Sequence, residues 1–157
     1  MILGRNIGPE SLSVGIDLIL QRNWTPVRRG AIIDCMHKVS GIGGFFFRAK
    51  DPDALDRWYF ENLGIDRVPM TEGGEAWRQE AGETAFTSME GCVDQFGVSD
   101  ATWAINFRVP HLDGMVEQLR AAGNEVTVDP TTYSMGRFAF LTDPEGNPIQ
   151  LWEPAED

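Results

Sequence analysis

At 157 residues the chain is about one domain's worth, long enough to bury a real core. Acidic residues outnumber basic ones 24 to 13, and the formal charge of −11 argues against nucleic acid and anionic membrane as partners, since both are recognised through basic patches. No apolar run approaches a membrane span, and Asp17 interrupts the apolar stretch near the start, which also argues against a secretory signal.

Residues 1–35 differ in character from the rest of the chain. They carry a net charge of +1 against −12 for residues 36–157, and Ser11 to Leu20 shows no clean hydrophobic period. They read as an N-terminal extension outside the core, or alternatively as a structured arm that packs on a partner subunit. The domain proper spans 36–157. Cys35 and Cys92 match no metal or redox spacing, which suits two reduced thiols in a cytoplasmic protein.

From Ile42 the organisation is clear. Phe45 to Phe47 is an apolar run suited to a strand. Asp51 then caps a helix with Pro52 at its first position, where the missing N–H costs nothing. Leu55, Trp58, Tyr59 and Leu63 recur at three- and four-residue spacing as one buried stripe, and Gly64 supplies the stop. Three further strands are expected at Asp66–Met70, Ala76–Glu80 and Thr84–Met89, separated by Gly73-Gly74 and Gly82.

The second half repeats the plan. Trp103 to Val109 is a strand, and Leu112, Met115, Val116 and Leu119 form the stripe of a second helix that ends before Gly123. Glu125 to Val128 is a short strand. Phe138 to Leu141 and Pro148 to Glu153 are two more, joined by the turn Asp143-Pro144-Glu145-Gly146-Asn147 into a hairpin. Two matches tie the halves together. Phe47-Arg48 with Asp53 recurs as Phe107-Arg108 with Asp113, and Gly82-Glu-Thr-Ala-Phe86 recurs as Gly136-Arg-Phe-Ala-Phe140. Both in order argue for two copies of one strand–helix–strands module, about 41–99 and 101–154. The fold class is therefore α+β: two βαβββ modules forming a curved mixed sheet around a cavity, with the helices outside.

The closing hairpin, with its Asp-Pro-Glu-Gly-Asn-Pro turn and apolar strand, resembles that of the vicinal oxygen chelate superfamily. That superfamily holds glyoxalase I, bleomycin-resistance proteins and extradiol dioxygenases. In its enzymes the resemblance implies a divalent metal in the cavity, held by histidines and glutamates. The matching positions here are Gly44, Ala104, Gln150 and a site around Phe86 or Thr87. Glycine and alanine cannot ligate through a side chain, and Gln150 offers one neutral oxygen. His37 and His111 lie off the strands and read as solvated or capping residues. Glu80, Glu83 and Glu90 read as solvated turn residues, and Glu153 points away from Gln150. No metal and no other cofactor is expected. No Ser–His or Cys–His pair or phosphate-binding glycine loop marks a reaction, so catalytic residues stay unassigned.

Strand alternation assigns the cavity face. If Gly44, Ala104 and Gln150 mark it, Phe46, Arg48, Asn106, Arg108 and Trp152 share it, and the neighbouring Phe and aliphatic residues face the helices. Pairing of Arg48 and Arg108 with carboxylates at the strand ends is an equal alternative to ligand contact. The chain reads as a small-molecule-binding, metal-free relative of the bleomycin-resistance proteins, acting by sequestration. The alternative is a glyoxalase- or dioxygenase-type enzyme. A homodimer is the default assembly that the resemblance implies; a purely structural or regulatory module fits less well.

Overall fold

The computed structural model describes residue 37 and residues 39–68, 75–88 and 101–156. The expected N-terminal extension lies outside the described residues, as do both cysteines and Glu90.

Among the described residues, two helices and four strands run in chain order: α1 (Pro52–Leu63), β1 (Ile105–Arg108), α2 (Leu112–Ala121), β2 (Thr127–Val128), β3 (Gly136–Thr142) and β4 (Pro148–Pro154). Helix α1 starts where local chemistry dictates. The Asp51 carboxylate accepts a hydrogen bond from the Ala54 N–H at 3.1 Å, Pro52 sits in the first turn, and Gly64 ends the helix at φ 68°. In helix α2 the N-cap residue His111 offers no side-chain cap. Glu153 of β4 substitutes, accepting the Leu112 N–H at 2.9 Å.

The sheet has the order β1-β4-β3-β2, with β1 parallel to β4 and the other pairs antiparallel. Elements β1 through β4 with α2 thus make one complete βαβββ module. Both helices cover the same face of the sheet. Leu55 and Tyr59 from α1 and Leu112, Val116 and Leu119 from α2 pack on Ala139, Leu141, Ile149 and Leu151 in one buried cluster. The fold class is α+β, as the sequence implied.

The halves are clamped by the hairpin turn. Glu145 accepts the Lys50 and Asp51 N–H groups at 2.8 and 2.9 Å, and buried Asp143 accepts the Tyr59 hydroxyl at 3.1 Å. A polar seam joins the helices on the far side. Trp58 Nε1 donates to Asn124 Oδ1 at 3.1 Å, and Asn124 Nδ2 donates to Asn62 Oδ1 at 2.7 Å.

The first half departs from expectation in its strands. Phe45–Phe47, Ala76–Glu80 and the described part of Thr84–Met89 belong to no ladder among the described residues, and Asp66–Met70 is described only to Val68. β propensity favours an extended backbone, but a ladder needs a second strand about 4.8 Å away, and none lies alongside among the described residues. Side-chain alternation nevertheless persists at Phe45–Phe47. Phe45 and Phe47 both reach Trp103, with ring centroids 5.0 and 5.3 Å apart, and Phe47 also meets Tyr59, whereas Phe46 is 88% exposed. No helix among the described residues is long and apolar enough to cross a membrane.

Candidate functional site

Among the described residues, the sheet face opposite the helices is the open one. Register fixes its occupants, because residues paired across a ladder project to the same side. Asn106 pairs with Gln150 and Arg108 with Trp152; on β3, Phe140 pairs with Gln150 and Phe138 with Trp152. Asn106, Arg108, Gln150, Trp152, Phe138 and Phe140 therefore share one face. The intervening Ile149, Leu151, Ala139 and Leu141 are buried beneath the helices.

Within that face the polar groups are already organised. Asn106 Nδ2 donates to Gln150 Oε1 at 2.6 Å. Trp152 stacks on Phe138 at 6.5 Å with planes 11° apart, and its Nε1 donates to the Met135 carbonyl at 2.8 Å. Tyr133 closes the other side of Phe138 edge-on, so Phe138 is buried and Trp152 half-buried. The flat surface expected of Trp152 is thus partly spent on its neighbour. Sequence reasoning missed Phe138 and Tyr133, which sit on a strand and turn it had treated as scaffold.

At the end of β1 the open face runs into a basin of about 350 Å³, lined by Gly41, Ile42, Trp77, Glu80, Gly82 and Arg108 among others. That volume lies within the range of small-molecule pockets. Arg108 Nη2 donates to the Glu80 main-chain carbonyl at 2.8 Å, and among the described residues Arg108 makes no ion pair. Of the two expected roles, carboxylate pairing is not seen among the described residues, and the guanidinium is anchored on the backbone instead. Glu80 also lines the basin. Arg48 and Phe46 stand exposed on the extended segment before α1, with no hydrogen bond from the Arg48 side chain among the described residues. Four of the six expected residues, Asn106, Arg108, Gln150 and Trp152, are brought together; Phe46 and Arg48 are not in the sheet.

The described residues of this face do not make a divalent-ion donor set. Gly44 and Ala104 carry no donor, and a Cβ at Gly44 would fall 2.9 Å from the Phe46 ring. The Gln150 oxygen is engaged by Asn106, and among the described residues no group of three His, Cys, Asp or Glu side chains could hold a metal.

The perturbed ionisations lie away from the open face and have structural causes. Burial, then the nearby Asp143 charge and hydrogen bond, push the Tyr59 hydroxyl far above its ordinary value of 10.0. The Asp51 and Lys50 N–H groups hold the Glu145 carboxyl below its usual range. The Arg137 hydrogen bond lowers Asp113, and Arg137 is raised in return by Asp113 and then Glu153. Arg137 bridges both carboxylates, at 2.6 and 3.3 Å. A second hollow of about 340 Å³ between Trp58, Arg57, Glu61 and Pro144 adjoins this scaffold.

Sequence and structure comparisons agree with one another. The profile of the family described as Glyoxalase-like domain matches residues 44–152. The crystal structure of TnmS3, an antibiotic binding protein from Streptomyces sp. CB03234, is 22% identical over 76% of this chain and 100% of its own, with a TM-score of 0.52. The protein VPC_CASS1 from the mobile metagenome of V. Pseudocholerae is 17% identical over 77% of this chain and 99% of its own, with a TM-score of 0.50. At these identities the likeness concerns the fold. No curated protein matches the chain.

Proposed function

The chain belongs to the glyoxalase-like domain family of the vicinal oxygen chelate superfamily, and from that premise we propose that it is a metal-free binder of a small planar molecule bearing an anionic or strongly polar group. The observation that carries this reading is the β1–β4 register, which sets Arg108 beside Trp152 and Asn106 beside Gln150 on the uncovered face. Two amides and a guanidinium supply directed hydrogen bonds, and the exposed part of the half-buried Trp152 ring supplies apolar surface. We extend the proposal to Phe46 and Arg48, which stand exposed on the segment before α1 and are free to meet a ligand from there. That a protein of similar fold is described as antibiotic binding is in keeping with a binding role. The runner-up, a glyoxalase- or dioxygenase-type enzyme, is less favoured because the described residues hold no group of three metal-ligating side chains.

The assembly we propose is a homodimer. Phe46 and Phe86, 88% and 92% exposed, are large aromatics that a second copy would cover. We place the protein in the cytoplasm, which the two unpatterned cysteines support.

Titration of 2-naphthoate and 2-naphthylmethylamine, followed by tryptophan fluorescence, tests the reading. Naphthoate should bind more tightly, and Arg108→Ala should weaken it about tenfold, the order of one charge-assisted hydrogen bond. Preference for the amine, or naphthoate affinity unchanged in both Arg48→Ala and Arg108→Ala, would overturn it.

A further inference from the structure

We propose that Gly82 is a positioning residue for the ligand site: by having no side chain, it seats the Arg108 guanidinium at the wall of the basin with donors left over for an anion. The inference rests on the reading of the open face as a ligand site and extends it to a residue outside the sheet.

The geometry is specific. A Cβ built on Gly82 would overlap Arg108 Nη1 and would lie 2.5 Å from Cζ and 3.1 Å from Nη2. The guanidinium therefore occupies the space that any side chain at position 82 would take. Two residues earlier, the Glu80 carbonyl accepts from Nη2 at 2.8 Å. The acceptor is a neutral main-chain oxygen, so the cation is held without being neutralised. Of the five guanidinium donors this uses one, and among the described residues no other is engaged. A planar fork fixed at one nitrogen is well suited to a carboxylate, because its orientation is settled before the ligand arrives.

Gly82 is not among the glycines with positive φ, so alanine is conformationally acceptable there and only the space is lost. Its counterpart in the sequence repeat, Gly136, also permits a close approach, but there a side chain would meet the backbone carbonyl of Glu153. The repeat thus preserves a gap in both halves. In the second half the gap serves the ladder, and in the first it admits a charged side chain.

The test uses the full chain with two isosteric probes, anionic 2-naphthoate and neutral 2-naphthamide. Gly82→Ala should weaken naphthoate about tenfold, as Arg108→Ala does, while changing naphthamide affinity less than about twofold. The double variant should bind naphthoate no more weakly than Arg108→Ala alone, since both changes remove the same contact. Equal weakening of both probes, unchanged naphthoate affinity in Gly82→Ala, or additive losses in the double variant would overturn the proposal. The Arg108 Nη2–H resonance, from the nitrogen bonded to the Glu80 carbonyl, gives a readout that needs no ligand. It should be dispersed and slow to exchange in the parent chain, and should collapse to the solvent-exposed position in Gly82→Ala. If naphthoate fails to bind the parent chain, the functional reading falls, and this resonance still decides the positioning role: an unchanged signal in Gly82→Ala overturns it.

Discussion

Replacing Asp143 by alanine should destabilise the protein by about 3–5 kcal/mol, although the residue lies in a hairpin turn. Its carboxylate is 3% exposed and accepts four hydrogen bonds, from the Tyr59 hydroxyl, the Glu145 and Asn147 N–H groups and Asn147 Nδ2. The three turn donors are half-buried and regain part of their hydration when the acceptor goes. The Tyr59 hydroxyl, on a residue 8% exposed beneath the hairpin, does not, and stranding it costs about 1–3 kcal/mol by itself. Asp143→Asn should cost less, because it keeps the oxygen that serves the two turn amides and the tyrosine hydroxyl can rotate to accept. Urea unfolding followed by far-UV circular dichroism measures the loss as a fall in midpoint at constant slope. In a thermal scan the same loss should appear as a fall of about 10 °C or more. A double-mutant cycle with Tyr59→Phe should give a coupling of about 1–2 kcal/mol. A loss under about 1 kcal/mol for Asp143→Ala, or strict additivity in the cycle, would refute the view that this turn clamps α1 to the sheet.

Three further outcomes rest on the same geometry. Because the folded Tyr59 titrates above its ordinary value of 10.0, the unfolded chain loses that proton first; stability should be intact below about pH 10 and fall as pH rises beyond it, and Tyr59→Phe should flatten this alkaline limb in pH-dependent unfolding. Glu145 is shifted the other way, so its contribution is present above its usual value of 4.5 and is lost as pH falls through the depressed folded value; Glu145→Gln should make the acid limb shallower. Elemental analysis of the purified protein should find divalent metal well below one ion per chain, since Gly44 and Ala104 carry no donors and the Gln150 oxygen is engaged; near-equimolar metal lost on mutating a residue of the open face would contradict this.

Much of the architecture is written locally and was legible. The caps at Asp51 and Gly64, the stripes of both helices, and the alternation along β1 and β4 depend on residues within about one helical turn or on a period of two. Those rules located the complete second module and separated Asn106, Arg108, Gln150 and Trp152 from the aliphatics beneath them. The Gly82–Gly136 repeat was visible too, but its meaning was not, since a gap in sequence does not name what fills it.

The sequence alone determined which segments are helical and which strand faces are apolar. Tertiary structure decided the rest. Tyr59 meets Asp143 across 84 residues, and Asp51 meets Glu145 across 94; neither pairing has a local signature. The extended stretch at Phe45–Phe47 shows the same division. Its composition favours an extended backbone, yet it becomes a sheet strand only if another strand lies alongside, and that is a property of the assembled chain. The role of Arg108 was likewise undecided until the fold brought the Glu80 carbonyl and the vacant side of Gly82 to it. A side chain's own chemistry limits the partners it can accept, and only the path of the distant backbone selects among them.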